Sequence, residues 1–174
     1  LLASCPPASC RPPSSRRPTP GPPLPPLRTA TARGAAACPA GWRCTGYARV
    51  STNGHFFIAD SGYAGSAASA TFALPHRAAA MHYQHAGGMD GPSSTSDMNY
   101  AGVYVYLAED DSLLCASFRN TDTDSLASMT CDFGGEYSGV AVYIYAVKTS
   151  TDHGWARLRI DEITFADPSG TRVY

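Results

Sequence analysis

From Trp42 onward, apolar and polar residues alternate with a period of two, interrupted by clusters of Gly, Asn, Asp and Ser. Successive side chains of a strand point to opposite faces, so this pattern dictates strands with one face turned inward. In Val103-Tyr104-Val105-Tyr106-Leu107 the valines and Leu107 share one face, and Tyr104 and Tyr106 share the other. Between Val140 and Val147 the same rule sets Val142 and Ile144 against Tyr143 and Tyr145. No segment carries a 3.6-residue apolar period with caps. Ala78-Ala79-Ala80-Met81 comes nearest to starting a helix, but His82-Tyr83-Gln84-His85 continues it more readily as a strand. The alternation predicts strands over 42–50, 54–60, 67–74, 78–85, 100–107, 112–119, 127–133, 139–148 and 155–165. Short strands at this spacing build an antiparallel sandwich or barrel, an all-β fold.

The first 37 residues obey a different rule. They hold 10 of the 14 prolines and five arginines (Arg11, Arg16, Arg17, Arg28, Arg33), with no Asp or Glu. Proline fixes φ and removes a donor, so this stretch cannot be a helix or an inner strand. Pro22-Pro23-Leu24-Pro25-Pro26-Leu27 suits polyproline II, in which 37 residues at about 3.1 Å each reach on the order of 100 Å. Such composition cannot bury a core, and its plain reading is a linker or stalk. The chain therefore divides into a basic extended arm, 1–37, and a β-sandwich domain, 38–174. The arm has a charge of +5; the domain, with eight basic and 14 acidic residues, has −6, which leaves −1 for the whole. Opposite charges favour docking of the arm on a domain, its own or that of a neighbouring copy. Ser14, Ser15, Thr19, Thr29 and Thr31 among the prolines suit O-glycosylation, whereas no N-x-Ser/Thr acceptor exists.

Six cysteines, Cys5, Cys10, Cys38, Cys44, Cys115 and Cys131, are an even set without the tight paired spacing of a zinc site. They predict disulfides and an oxidising compartment. The chain does not begin with Met, which fits a secreted, extracellular protein after loss of a signal peptide. Cys115 and Cys131 lie eight residues either side of Thr123, in the turn Asn120–Ser125, and predict a cross-strand bond. Cys38 with Cys44 would pin the exit of the arm, and Cys5 with Cys10 would close a small loop within it. A second turn, Glu109-Asp110-Asp111-Ser112, reads as a tight hairpin. The last strand has a fault of register: Leu158 and Ile160 share a face, but Ile163 and Phe165 have the opposite parity. A bulge at Asp161-Glu162 would repair it.

Charged residues are 16% of the chain, too few and too balanced for a nucleic-acid binder. No apolar run approaches the ~18 residues of a membrane span. G-x-S-x-G, H-E-x-x-H, P-loop and G-x-G-x-x-G patterns are all missing, and no pair of carboxylates singles itself out as acid and nucleophile, so the chain reads as non-enzymatic.

The order Gly41-Trp42, Thr45-Gly46-Tyr47-Ala48, Ala67–Leu74, Tyr100–Leu107, Gly139–Tyr145 and Arg159-Ile160-Asp161-Glu162-Ile163-Thr164-Phe165 resembles the galactose-binding-like jelly rolls, which include many carbohydrate-binding modules. MAM adhesion domains look similar. The likeness covers about residues 40–166 and not the arm. It implies a jelly roll, an extracellular binding role and, in some members, a structural calcium ion near the acidic residues of the closing strand, here Asp161 and Glu162. Calcium takes six to eight oxygens, and the plainer reading of these carboxylates, as of Asp122 and Asp124, is a solvated turn. His82 and His85 are three apart on a strand, so they face opposite ways and suit one metal poorly.

The sharpest surface feature is the tyrosine set. If the strands carrying Tyr104, Tyr106, Tyr143 and Tyr145 belong to one sheet, the rings form a ridge, and tyrosine is favoured at interfaces and sugar-stacking platforms. The competing reading is that the rings pack beneath a loop, beneath the arm or in the core. Two functions follow. In the first, a structural or adhesive glycoprotein assembles with copies of itself by docking the arm on a neighbouring sandwich, in a ring or open filament. In the second, the sandwich is a carbohydrate-binding module on a proline-rich stalk, with glycans as partners. A hydrolase is a third and weaker reading.

Overall fold

The protein is described from a computed structural model. It describes residues 38–51, 54–59, 62–87, 101–118, 125–149 and 157–174. The arm, with Cys5 and Cys10, lies outside these residues, as do the turn acids Asp122 and Asp124.

Among the described residues every regular element is a strand: β1 Trp42–Gly46, β2 Arg49–Val50, β3 Phe56–Ala59, β4 Gly65–Ser69, β5 Phe72–Ala73, β6 Ala78–Ala86, β7 Gly102–Leu107, β8 Leu113–Phe118, β9 Ala127–Tyr137, β10 Ala141–Lys148, β11 Leu158–Ala166 and β12 Arg172–Val173. They form two antiparallel sheets. Sheet I has the order β1-β4-β10-β7-β8, with β5 also paired to β10; sheet II has the order β2-β3-β11-β6-β9, with β12 paired to β11. The chain passes back and forth between the sheets, which makes the sandwich a jelly roll.

The inner faces carry the residues that the alternation selects. Val103, Val105, Val142, Ile144 and Ala146 of sheet I meet Ile58, Met81, Tyr83, Phe133, Leu158 and Ile160 of sheet II in one buried cluster. Aromatic contacts join the layers at two places. Trp42 meets Phe56 edge-on at 5.0 Å, and Phe72 lies 5.6 Å from Phe165. Cys115 on β8 is bonded to Cys131 on β9. The expected pairing therefore forms, but between strands of different sheets rather than across one hairpin. It closes a loop with a sequence separation of 16, worth about 3 kcal/mol in the chain-entropy account. Cys38–Cys44 is also formed, beside β1.

Two expected strands are divided. The segment expected over 42–50 leaves sheet I at Gly46 and enters sheet II at Arg49. Crossing there needs glycine: a Cβ at Gly46, whose φ is +62°, would sit 2.5 Å from the Ala64 carbonyl oxygen, and one at Gly65 would sit 2.1 Å from that of Ile58. Between β4 and β5 the chain is interrupted at Ala70 and Thr71. The strand expected to stop at 133 runs on to Tyr137, and β12 was not expected from the sequence.

The bulge is present. On β11, Asp161 pairs with Gln84 but Thr164 pairs with His82, so one extra residue is accommodated, and Glu162 has φ +49°. Leu158 and Ile160 before it, and Ile163 and Phe165 after it, all pack on the core.

Candidate functional site

The strands that carry the four tyrosines are neighbours. β10 pairs with β7 in a register that sets Tyr143 opposite Tyr106 and Tyr145 opposite Tyr104. Their alternate residues face the core, so all four rings stand on the outer face of sheet I. Tyr106 stacks on Tyr143 at 5.3 Å and 19°. Tyr104 lies 6.1 Å from Tyr106 and 6.4 Å from Tyr145. The ridge stands between small side chains, since Ala68 of β4 is opposite Tyr145 and Ala116 of β8 is opposite Tyr104. Leu113, 48% exposed, is the β8 partner of Tyr106.

The rings are not equally open. Tyr104 and Tyr143 are buried, at 5% and 9% exposure, while Tyr106 and Tyr145 are half-buried. Two rings are therefore packed and two offer surface. Burial, and next the neighbouring Tyr106 and Tyr145, push the Tyr104 hydroxyl up to about 12. Burial also raises Tyr143, helped by its 2.9 Å hydrogen bond to the Asp111 carboxylate. Tyr106 is raised chiefly by burial. These hydroxyls are therefore neutral at physiological pH, able to donate and accept hydrogen bonds but unsuited to proton transfer.

A second aromatic feature was not singled out from the sequence. Tyr63, 56% exposed, stacks on Tyr47 at 4.7 Å and 14°, and the Arg49 guanidinium lies 4.0 Å over the Tyr47 ring. Tyr47 and Tyr63 sit on connections between strands, where the two-residue period gives no warning of their meeting. Beside them ends the chain's one lysine. Lys148 has no exposed surface, and its Nζ donates to the Tyr63 carbonyl oxygen at 2.8 Å. Its parity, shared with Ile144 and Ala146, was the available signal.

Across β6 and β9 the outer face of sheet II is polar. Gln84 Nε2 donates to Ser128 Oγ at 3.1 Å, and His82 Nδ1 lies 3.0 Å from Thr130 Oγ1. His85, on the other face of the same strand, is 2% exposed, so the two histidines do point apart. Asp161 places Oδ2 3.1 Å from His55 Nδ1 and accepts the Glu162 amide on Oδ1 at 2.9 Å, while Glu162 is exposed. Among the described residues no group of three or more His, Cys, Asp or Glu side chains converges as a metal site would require. No helix of the described residues is long and apolar enough to cross a membrane.

No family model and no curated protein matches the sequence. Among solved structures the chain is similar to the carbohydrate-binding module CsCBM6-3 from Clostridium stercorarium in complex with cellobiose, at 12% identity and TM-score 0.44 over 75% of this chain and 85% of that one. A second family 6 carbohydrate-binding module is similar at 7% identity and TM-score 0.45, over 74% of this chain and 84% of that one. The K1 cleaved adhesin domain of Lys-gingipain from Porphyromonas gingivalis W83 is similar at 12% identity and TM-score 0.43, covering 75% and 92%. The class that fold and surface define is a disulfide-linked, antiparallel jelly-roll module with an aromatic outer face.

Proposed function

We propose that the protein is a non-catalytic, extracellular glycan-binding module that uses the tyrosine ridge of sheet I. The observation that carries this reading is the register of β7 and β10, which gathers four phenols on one solvent-side face, two of them half-open. Phenol rings stack on the C–H faces of sugars and their hydroxyls hydrogen-bond sugar hydroxyls. Neutral hydroxyls and flanking small residues suit an uncharged, extended chain of sugars laid across the strands. Two disulfides among the described residues fit an oxidising compartment. The test is a glycan array probed with the full chain. Tyr145→Ala and Tyr106→Ala should each weaken the strongest signals by about tenfold, the loss of one stacked ring. Unchanged signals in both variants would overturn the assignment.

A second reading keeps the arm as a docking element for a neighbouring copy. It is favoured by the charge split and by a cavity of about 370 Å³ on the outer face of sheet II, lined in part by His82, Asp132, Glu136 and Asp167. Removing residues 1–37 should then reduce a concentration-dependent assembly to single copies. Assemblies that survive the deletion would exclude it.

A further inference from the structure

The basic side chains of the domain are few and unevenly placed. Arg159 of β11 stands on the outer face of sheet II, on the far side of the sandwich from the tyrosines, and Arg157 lies just before that strand. Arg159 has Phe57 of β3 as its partner on one side and Ala86 of β6 on the other. With Gly87 these residues line a cavity of about 140 Å³. The close approach at its rim requires glycine: Gly87 has φ +109°, and a Cβ there would stand 2.1 Å from the Arg157 carbonyl oxygen.

Arg159 is only partly engaged. Its terminal nitrogen lies 2.7 and 3.0 Å from the two ring nitrogens of His55, while Nε is buried and has no acceptor among the described residues. A buried guanidinium N–H left without an acceptor is costly, and the group that best satisfies it is an oxyanion with two adjacent oxygens, which accepts from the guanidinium fork. The remaining walls are apolar, and Phe57 offers a half-buried ring beside the two cations. An anion carried on a sugar ring matches both walls, with charge on the arginines and C–H surface on Phe57. The volume admits one charged substituent and part of its ring. The domain's net charge of −6 would repel a polyanion at long range, so on the domain selection must come from this local contact.

We propose that the pocket of Arg157, Arg159 and Phe57 is a second binding site, specific for the carboxylate or sulfate group of an acidic polysaccharide. It lies on the opposite sheet from the ridge and does not depend on it. The experiment is affinity electrophoresis of the full chain through polygalacturonate and its methyl-esterified form, and through dextran sulfate and dextran. Stronger retardation by an acidic polymer than by its neutral counterpart is expected. The pair that shows the difference tells carboxylate from sulfate. Arg159→Gln should reduce that retardation by about tenfold, and Arg159→Lys should restore only part of it, because the charge returns without the fork. If Arg159→Gln melts well below the parent, Arg157→Gln reads the same pocket from its other wall. Equal retardation by acidic and neutral polymers, or none by either, would overturn the site, as would an acidic preference untouched by these variants. Tyr145→Ala separates the two faces: it should leave the acidic preference intact whatever it does to neutral glycans.

Discussion

On its outer face sheet I carries Tyr104, Tyr106, Tyr143 and Tyr145, packed ring to ring, whereas the corresponding face of sheet II carries His82, Gln84, Ser128, Thr130 and Asp161, joined by hydrogen bonds or facing a histidine. The inner faces hardly differ, since both supply Val, Ile, Leu and aromatic side chains to one cluster. Core packing therefore does not explain the tyrosines, because the other sheet turns its outer face to solvent without them. Aromatic area on a solvent-side face needs a cover or a ligand, and polar ladders do not.

The comparison is best stressed where the two faces share support. Ile58 is fully buried between the sheets, so Ile58→Ala should cost about 2–5 kcal/mol in a urea titration and weaken binding on both faces together. A loss confined to one face would mean that the sheets are supported separately. Replacing Cys115 and Cys131 by serine removes the bond between the sheets and should cost about 3 kcal/mol, lowering the melting temperature without changing either binding preference.

The aromatic face also titrates in its own way. Burial raises the Tyr104 hydroxyl to about 12, above its unfolded value of 10.0. A raised pKa means that the folded protein holds its proton longer than the unfolded chain. The stabilisation is complete below pH 10 and is lost as pH rises toward about 12. Absorbance at the phenolate band should show a late-titrating class that ionises together with unfolding, and Tyr104→Phe should remove one member of it. The smallest effect belongs to sheet II. Thr130→Val breaks a partly exposed contact to His82 and should change stability by no more than about 0.5 kcal/mol.

Much of this contrast was legible in the alternation itself. Val103–Leu107 and Val142–Tyr145 state which side chains face inward, and the broken parity from Ile160 to Ile163 located the bulge at Asp161-Glu162 before any pairing was known. The pairing of Cys115 with Cys131 followed from symmetry about one turn. What the period cannot encode is which sheet a strand joins. Nothing in Trp42–Val50 marks the change from sheet I to sheet II except Gly46, whose positive φ makes the crossing possible. Nor can it bring together residues distant in the chain. His55 meets Arg159 and Asp161 across more than 100 residues, and Tyr63 reaches Tyr47 from another connection. How far each ring is open also depends on packing: Tyr104 and Tyr106 have equal parity on one strand, yet one is buried and the other half-open.

The central claim is that the open part of the ridge is where a glycan binds. Labelling the tyrosine rings with ¹³C and titrating the full chain with the best neutral oligosaccharide from the array tests it directly. The account predicts that the ring signals of Tyr106 and Tyr145 shift with the same saturation curve as binding, while Tyr83, buried in the core, stays still. Saturable binding that leaves both ridge signals unmoved and shifts Tyr63 instead would contradict it and place the site at the end of the sandwich.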